Sequence, residues 1–225
     1  AGGSGTRFWP VSREQSPKQL QKFVGSGTMI QNTVQRLFPL VPIEKMYVGT
    51  HHQQALETLR QLDSLEFSPD HLLAEPCSRN TAAAIGLMAR MIADKDANAV
   101  MAVFPADHVV ANSESFIKVL QKAKSLAQKD FLVTLGIPPT RPETGFGYLK
   151  QGNEINGFQE TYHVEQFVEK PDASTAKKYL ERGTYFWNCG VFIWKATTLL
   201  EELEKHAPDI HSQLKTLVGC VQNSK

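Results

Sequence analysis

Cysteine is scarce: Cys77, Cys189 and Cys220 are an odd number, far apart, with no Cys-x-x-Cys pair. A disulfide framework and a zinc site are both unsupported, and the three read as free thiols of a reducing compartment. Long apolar runs are missing too. No stretch approaches the roughly 20 residues that span a bilayer, and no basic-then-apolar leader opens the sequence, so no membrane partner is expected and the cytoplasm is the expected location. Net charge is nearly absent, at +1 from 24 basic and 23 acidic residues. Duplex binding needs a broad basic face, so nucleic acid is not an expected partner. There is no internal repeat and no low-complexity tract.

What is present is ordinary for a folded domain: 225 residues, 41% hydrophobic and 21% charged. That length holds one α/β domain with a sizeable core, and a single domain over 1–225 is the expectation. Helical spacing runs through Met29–Phe38, His51–Leu62, Thr81–Asp94 and Phe116–Gln128. Short apolar runs at Ile43–Gly49, Leu72–Ala74, Ala99–Phe104 and Phe131–Leu135 read as strands. This alternation predicts an α/β fold with a mostly parallel mixed sheet and helices on both faces. The unbroken apolarity of Ala99–Phe104 predicts a strand covered on both sides. Past Gly136 the texture changes, and Tyr148–Lys150 with His163–Val168 predict a small antiparallel addition. Asp172 is placed to cap a helix over Ala173–Leu180, Val191–Trp194 reads as a strand, and the tail from Thr197 as helical. Trp9 and Trp194 are expected to pack, and His51-His52 with the other histidines to be surface or satisfied groups.

The charge that exists is concentrated at the start. From Gly2 to Gly25, Arg7, Arg13, Lys18 and Lys22 face Glu14 alone, a local +3. Gly2, Gly3 and Gly5 leave a backbone whose N–H groups can close on a bulky anion such as a polyphosphate. Two phosphate loops are excluded. A Walker A loop needs Lys-Ser/Thr after its last glycine, where Gly5 is followed by Thr6-Arg7; the dinucleotide fingerprint needs a third glycine where Phe8 stands. Asp107, just past the strand ending at Phe104, stands where ligands gather in parallel sheets, and a carboxylate there is a natural Mg²⁺ ligand.

Gly2-Gly3-x-Gly5-Thr6-Arg7 with Trp9-Pro10, Ser12-Arg13 and Pro17-Lys18-Gln19 resembles the signature loop of the sugar-1-phosphate nucleotidyltransferases. The form with Trp9-Pro10 and Lys18-Gln19 is most similar to the bacterial mannose-1-phosphate guanylyltransferases. The resemblance implies a Rossmann-like, glycosyltransferase-A-type fold and a reaction of GTP with mannose 1-phosphate that gives GDP-mannose and pyrophosphate. It implies that Gly2, Gly3, Gly5 and Thr6 wrap the triphosphate, that Arg7 and Lys18 stabilise its charge, and that Asp107 holds the catalytic Mg²⁺. Glu75-Pro76-x-x-Arg79-Asn80-Thr81 resembles the base-binding segment, with Glu75 offered as the guanine reader and Asn80 also able to cap a helix. Gly145-Phe146-Gly147-Tyr148 resembles the sugar loop. Phe167-Val168-Glu169-Lys170-Pro171 resembles the motif in which the glutamate binds sugar hydroxyls and the lysine the sugar phosphate. Trp187-Asn188-x-Gly190 resembles the motif whose asparagine contacts the sugar.

The match is incomplete at both ends. No strand precedes Ala1, and no Ser-Ile-Asp-Tyr-like segment with a second metal aspartate follows Trp194, where the acidic residues are Glu201, Glu202, Glu204 and Asp209. Two alternatives stay open: a nucleotidyltransferase of another nucleotide and sugar phosphate, or a catalytically silent nucleotide-sugar-binding domain. A homodimer is entertained beside the small-molecule partners; sequence gives neither oligomeric state nor pathway.

Overall fold

Met29–Leu37 forms the first helix, α1, because Thr28 closes a capping box. Gln31 N–H donates to the Thr28 hydroxyl, and Gln31 Oε1 accepts from Thr28 N–H at 2.8 Å. This pairing satisfies two helix-end donors at once. The computed structural model describes residues 9–13, 17–77 and 81–222, with the backbone alone from 218. The chain packs as two units, Ala1–Leu132 with Ile193–Lys225, and Val133–Phe192.

The first unit continues with β1 (Val48–His51), α2 (Ala55–Leu62), β2 (Leu72–Glu75), α3 (Ala82–Lys95), β3 (Val100–Val103) and α4 (Ser113–Ala127). It is completed by α6 (Ala196–His206) and α7 (Pro208–Gln222). Strands β1 and β2 pair in parallel, with His51 opposite Glu75 at their carboxyl ends. Helices α3, α6 and α7 pack together around Gly86. A Cβ at Gly86 would sit 2.7 Å from Leu214 Cδ1 and 3.1 Å from Leu203 Cδ1, so the bare position is what lets the helices approach. The helical spacing of Met29–Phe38, Thr81–Asp94 and Phe116–Gln128 thus corresponds to α1, α3 and α4.

The second unit holds β4 (Val133–Ile137), β5 (Gly147–Glu154), β6 (Tyr162–Glu169), α5 (Ala173–Arg182) and β7 (Tyr185–Lys195) through Phe192. β5 pairs antiparallel with both β6 and β7, and β4 also pairs β7. Its core is aromatic: Tyr148, Tyr185 and Trp187 are buried with Ala176, and Tyr179 stacks on Tyr185 at 3.8 Å between centroids. Asp172 caps α5, accepting from Thr175 N–H at 2.9 Å.

Several expectations are corrected. Among the described residues, instead of one mostly parallel sheet there is a two-stranded parallel sheet, β1-β2, in the first unit, and in the second a sheet with β5 between β6 and β7 and with β4 on β7. The chain is therefore mixed α/β with a larger antiparallel share than the periodicity implied. Ile43–Lys45 is a 3₁₀ turn after Pro42, so the strand begins only at Val48. β3 is less covered than its unbroken apolarity predicts, with Ala102 exposed. β7 begins six residues before Val191, which places Asn188 and Gly190 inside a strand. Trp194 is buried as expected, whereas Trp9 is 76% exposed. Among the described residues no helix is long and apolar enough to cross a membrane.

The Asp172 cap carries a pH signature. Hydrogen bonds from Ser174 and from the Thr175 N–H and hydroxyl bring its carboxyl from 3.8 down to about 2. A carboxyl depressed in the fold stabilises above its unfolded pKa, and that contribution is lost as pH falls through the folded value. Asp172→Ala is expected to melt a few degrees below wild type at pH 7, and the gap to close between pH 4 and pH 2 in calorimetric scans. A gap that persists at pH 2 would mean that Asp172 acts by something other than its charge.

Candidate functional site

Lys18 lies on a 3₁₀ turn, Lys18–Leu20, whose neighbours are fixed from below. Gln19 is buried and its amide donates to Gln54 Oε1 at 3.1 Å; Gln61 donates to the Leu20 carbonyl at 3.1 Å. Gln31 on α1 in turn donates to the Gln61 carbonyl at 2.6 Å. With its neighbours held, the lysine keeps a mobile ammonium on a fixed stem. That ammonium makes an ion pair with Asp107, both side chains partly exposed.

Asp107 is held by its backbone neighbours. Two α1 side chains one turn apart reach the loop: Thr33 donates to the Ala106 carbonyl at 3.5 Å and Arg36 Nη2 to the His108 carbonyl at 3.2 Å. Both grips are on main-chain oxygens, so neither occupies the carboxylate, whose partner is the Lys18 ammonium. Burial pushes the His108 imidazole below its ordinary pKa; Asp107 opposes that, and Lys18 and Arg36 reinforce it. Among the described residues no three His, Cys, Asp or Glu side chains gather to hold an ion alone. Magnesium keeps most of its waters and takes one or two carboxylates with phosphate oxygens, so a single carboxylate beside an ammonium fits a site that a bound polyphosphate completes.

Glu75 ends β2, and its carboxylate oxygen lies 4.0 Å from where a Gly49 Cβ would be. Thr81 occupies the cap position of α3 with no side-chain cap bond, and its carbonyl accepts from Ile85 N–H at 3.0 Å. Gly2, Gly3, Gly5, Thr6, Arg7, Arg79 and Asn80 lie outside the described residues.

In the second unit, the loop before β5 is braced by two residues that sequence reading passed over, Arg141 and Glu143. Glu143 Oε1 accepts from Gly145 N–H at 3.0 Å, while Oε2 takes both Nε and Nη2 of Arg141, at 3.2 and 3.0 Å. The Gly145 N–H and the guanidinium hold the Glu143 carboxyl below its ordinary range. The available signal was a charge pair flanking Pro142 directly before a Gly-rich turn. Tyr148 is a correction: its side chain is fully buried, and its hydroxyl donates to the Glu143 carbonyl at 2.9 Å and accepts from Glu143 N–H at 3.0 Å. Both valences are spent on the loop, so Tyr148 shapes the loop and does not face a ligand.

Gly147 pairs with Glu169 across β5 and β6, and a Cβ there would meet Glu169 Oε2 and Phe167 Cζ, each at 2.9 Å. The bare glycine lets the carboxylate lie flat over the strand. Lys170 follows at φ 45°, a left-handed backbone that costs a non-glycine residue. Its N–H donates to the Phe146 carbonyl at 3.2 Å, and its ammonium pairs with Glu169 Oε1 at 2.9 Å, both side chains exposed. Asn188 Oδ1 lies 3.0 Å from the Thr134 hydroxyl and 3.2 Å from Gly190 N–H, and Gly190 adopts φ 73°. Cys189 between them is half-buried; burial pushes its thiol up, so it stays protonated near neutrality and packs. The structure therefore joins Lys18 with Asp107 in one unit, and Gly145, Gly147, Glu169, Lys170, Asn188 and Gly190 lie in the other.

A mannose-1-phosphate guanylyltransferase of Salmonella muenchen is 39% identical over 98% of this chain and 46% of its own length. The alginate biosynthesis protein AlgA of Pseudomonas syringae pv. tomato is 38% identical over 99% of this chain and 46% of its own. The chain thus spans about half the length of these curated relatives. The crystal structure of a mannose-1-phosphate geranyltransferase from Thermus thermophilus superposes with a TM-score of 0.84 at 35% identity, covering 97% of this chain and 62% of that one. Residues 1–224 match the family model described as Nucleotidyl transferase, and the chain belongs to that family.

Proposed function

We propose that this chain is the catalytic part of a nucleotidyltransferase that joins GTP and mannose 1-phosphate to give GDP-mannose and pyrophosphate. The observation that carries the reading is the meeting of Lys18 and Asp107, which come from two motifs far apart in sequence. The names of relatives about 39% identical along nearly the whole chain supply the substrates. A Rossmann-like, glycosyltransferase-A-type arrangement, a homodimer and a cytoplasmic location belong to the same reading.

The attacking group is a phosphate oxygen of the sugar phosphate, already ionised at neutral pH. A bond forms from that oxygen to the α-phosphorus, the bond to the β-phosphate bridging oxygen breaks, and pyrophosphate leaves with the electron pair. No proton moves and no covalent enzyme intermediate forms. The obstacle is charge, so catalysis rests on positioning and electrostatic stabilisation. Lys18 and Arg7 meet the charge that builds on the departing pyrophosphate. Asp107 would hold a magnesium ion together with nucleotide phosphate oxygens; when bound, the ion supplies neutralisation of phosphate charge. Gly2, Gly3, Gly5 and Thr6 present N–H groups to the triphosphate, Glu75 reads the guanine edge, and Asn80 and Thr81 complete that segment. Gly145 and Gly147 expose backbone to the sugar, Glu169 takes its hydroxyls, Lys170 its phosphate, and Asn188 beside Gly190 a sugar oxygen.

The test is pyrophosphorolysis with Mg²⁺, comparing GDP-mannose with UDP-, ADP- and dTDP-sugars. GDP-mannose is expected to be turned over at least about tenfold faster than the others, the scale of discrimination from one lost polar contact. Faster turnover of another donor would reassign the substrates, and binding without turnover would make the chain a silent nucleotide-sugar domain.

A further inference from the structure

We infer that Thr134 is a positioning residue for Asn188, fixing the asparagine amide so that only its NH₂ end is offered to a ligand. The inference rests on the reading of Asn188 as the sugar contact. Thr134 lies on β4, which pairs β7. Two residues further along β4, a Cβ at Gly136 would sit 2.9 Å from the Phe186 Cβ, so β4 runs this close to β7 because that position is bare. Thr134 Oγ1 then lies 3.0 Å from Asn188 Oδ1 and 3.1 Å from the Val191 carbonyl; it has one proton to give, and on this inference that proton goes to Asn188 Oδ1, the shorter contact. The Gly190 N–H lies 3.2 Å from the same Asn188 Oδ1. A backbone N–H is a donor only, so this contact fixes which end of the amide is oxygen.

The consequence is chemical. An amide gripped at its oxygen has two N–H bonds to give and nothing with which to accept. The ligand atom it meets is therefore an acceptor: a hydroxyl or phosphoryl oxygen of a sugar phosphate. Without the Thr134 hydroxyl, a single contact from Gly190 holds the amide. It can then turn over and set its oxygen against the ligand's, and a part-buried polar contact becomes a repulsion.

Two variants in the full chain test this. Thr134→Val keeps the shape and removes the hydroxyl; Thr134→Ser restores it. Thr134→Val is expected to raise KM for mannose 1-phosphate about tenfold and to leave KM for GTP within about twofold. It is also expected to broaden or split the side-chain amide signals of Asn188 in a ¹⁵N correlation spectrum. Thr134→Ser is expected to return all three to wild type. A wild-type KM and a sharp Asn188 signal in Thr134→Val would overturn the inference, as would an equal rise in both KM values, which a merely structural role produces. If the wild-type chain does not turn over mannose 1-phosphate at all, the proposed function fails by itself. The Asn188 signal then decides this inference alone: broadening rescued by serine sustains it, and a sharp signal in the valine variant ends it.

Discussion

Lys18→Ala is expected to lower kcat by about 10²–10³-fold, the scale of losing one preorganised group that faces charge developing in a transition state. Folding is expected to change by only about 1 kcal/mol or less, because the ion pair it removes is partly exposed and pairs of that kind contribute little. The turn beneath it survives the change: its contacts run from Gln54 and Gln61 to the neighbours of Lys18, not to Lys18 itself. Lys18→Arg is not expected to rescue fully, since a planar guanidinium spreads its charge where the ammonium concentrates it. Single-turnover rates, both KM values and a melting curve measured on one preparation separate the effects. An alanine variant within about twofold of wild type in kcat would reduce Lys18 to a counter-ion for Asp107.

The parts that sequence made legible are those governed by local rules. α1 announces itself through Thr28, Gln31 and the apolar spacing behind them, and α5 through Asp172, because caps and periodicity act within a few residues. Strand pairing is not local, so periodicity located β1, β2 and β5 approximately but not their partition into two sheets. β7 was cut short for a related reason. Trp187-Asn188-Cys189-Gly190 includes a left-handed Gly190, yet the strand that pairs with β5 over Tyr185–Trp187 continues past it to Lys195. In the site, Lys18 and Asp107 were legible through the chemistry of their motifs. Thr33, Arg36 and Thr134 were not, because each acts on a carbonyl or a single amide far away in sequence and leaves no spacing to read. Tyr148 was misjudged because an aromatic beside two glycines looks alike whether it faces a sugar or the core.

Asp107→Asn is expected to have the larger effect, a loss of about 10³-fold or more in Mg²⁺-dependent turnover, because the change removes a full negative charge from the one carboxylate proposed to bind the ion. The geometry is expected to persist: Thr33 and Arg36 hold the carbonyls of Ala106 and His108, and neither contact uses the Asp107 side chain. A melting temperature close to wild type, with activity unrestored by raised Mg²⁺, would separate lost charge from lost structure. Activity that saturates with Mg²⁺ as in wild type would place the ion on other residues and remove Asp107 from the site. The double variant Lys18→Ala, Asp107→Asn sharpens the point. If the two side chains serve one charge distribution, the pair together is expected to cost little more than Asp107→Asn alone, as groups acting as a unit do. If the losses multiply instead, lysine and aspartate act on separate steps, and their contact is an association of the ligand-free chain only.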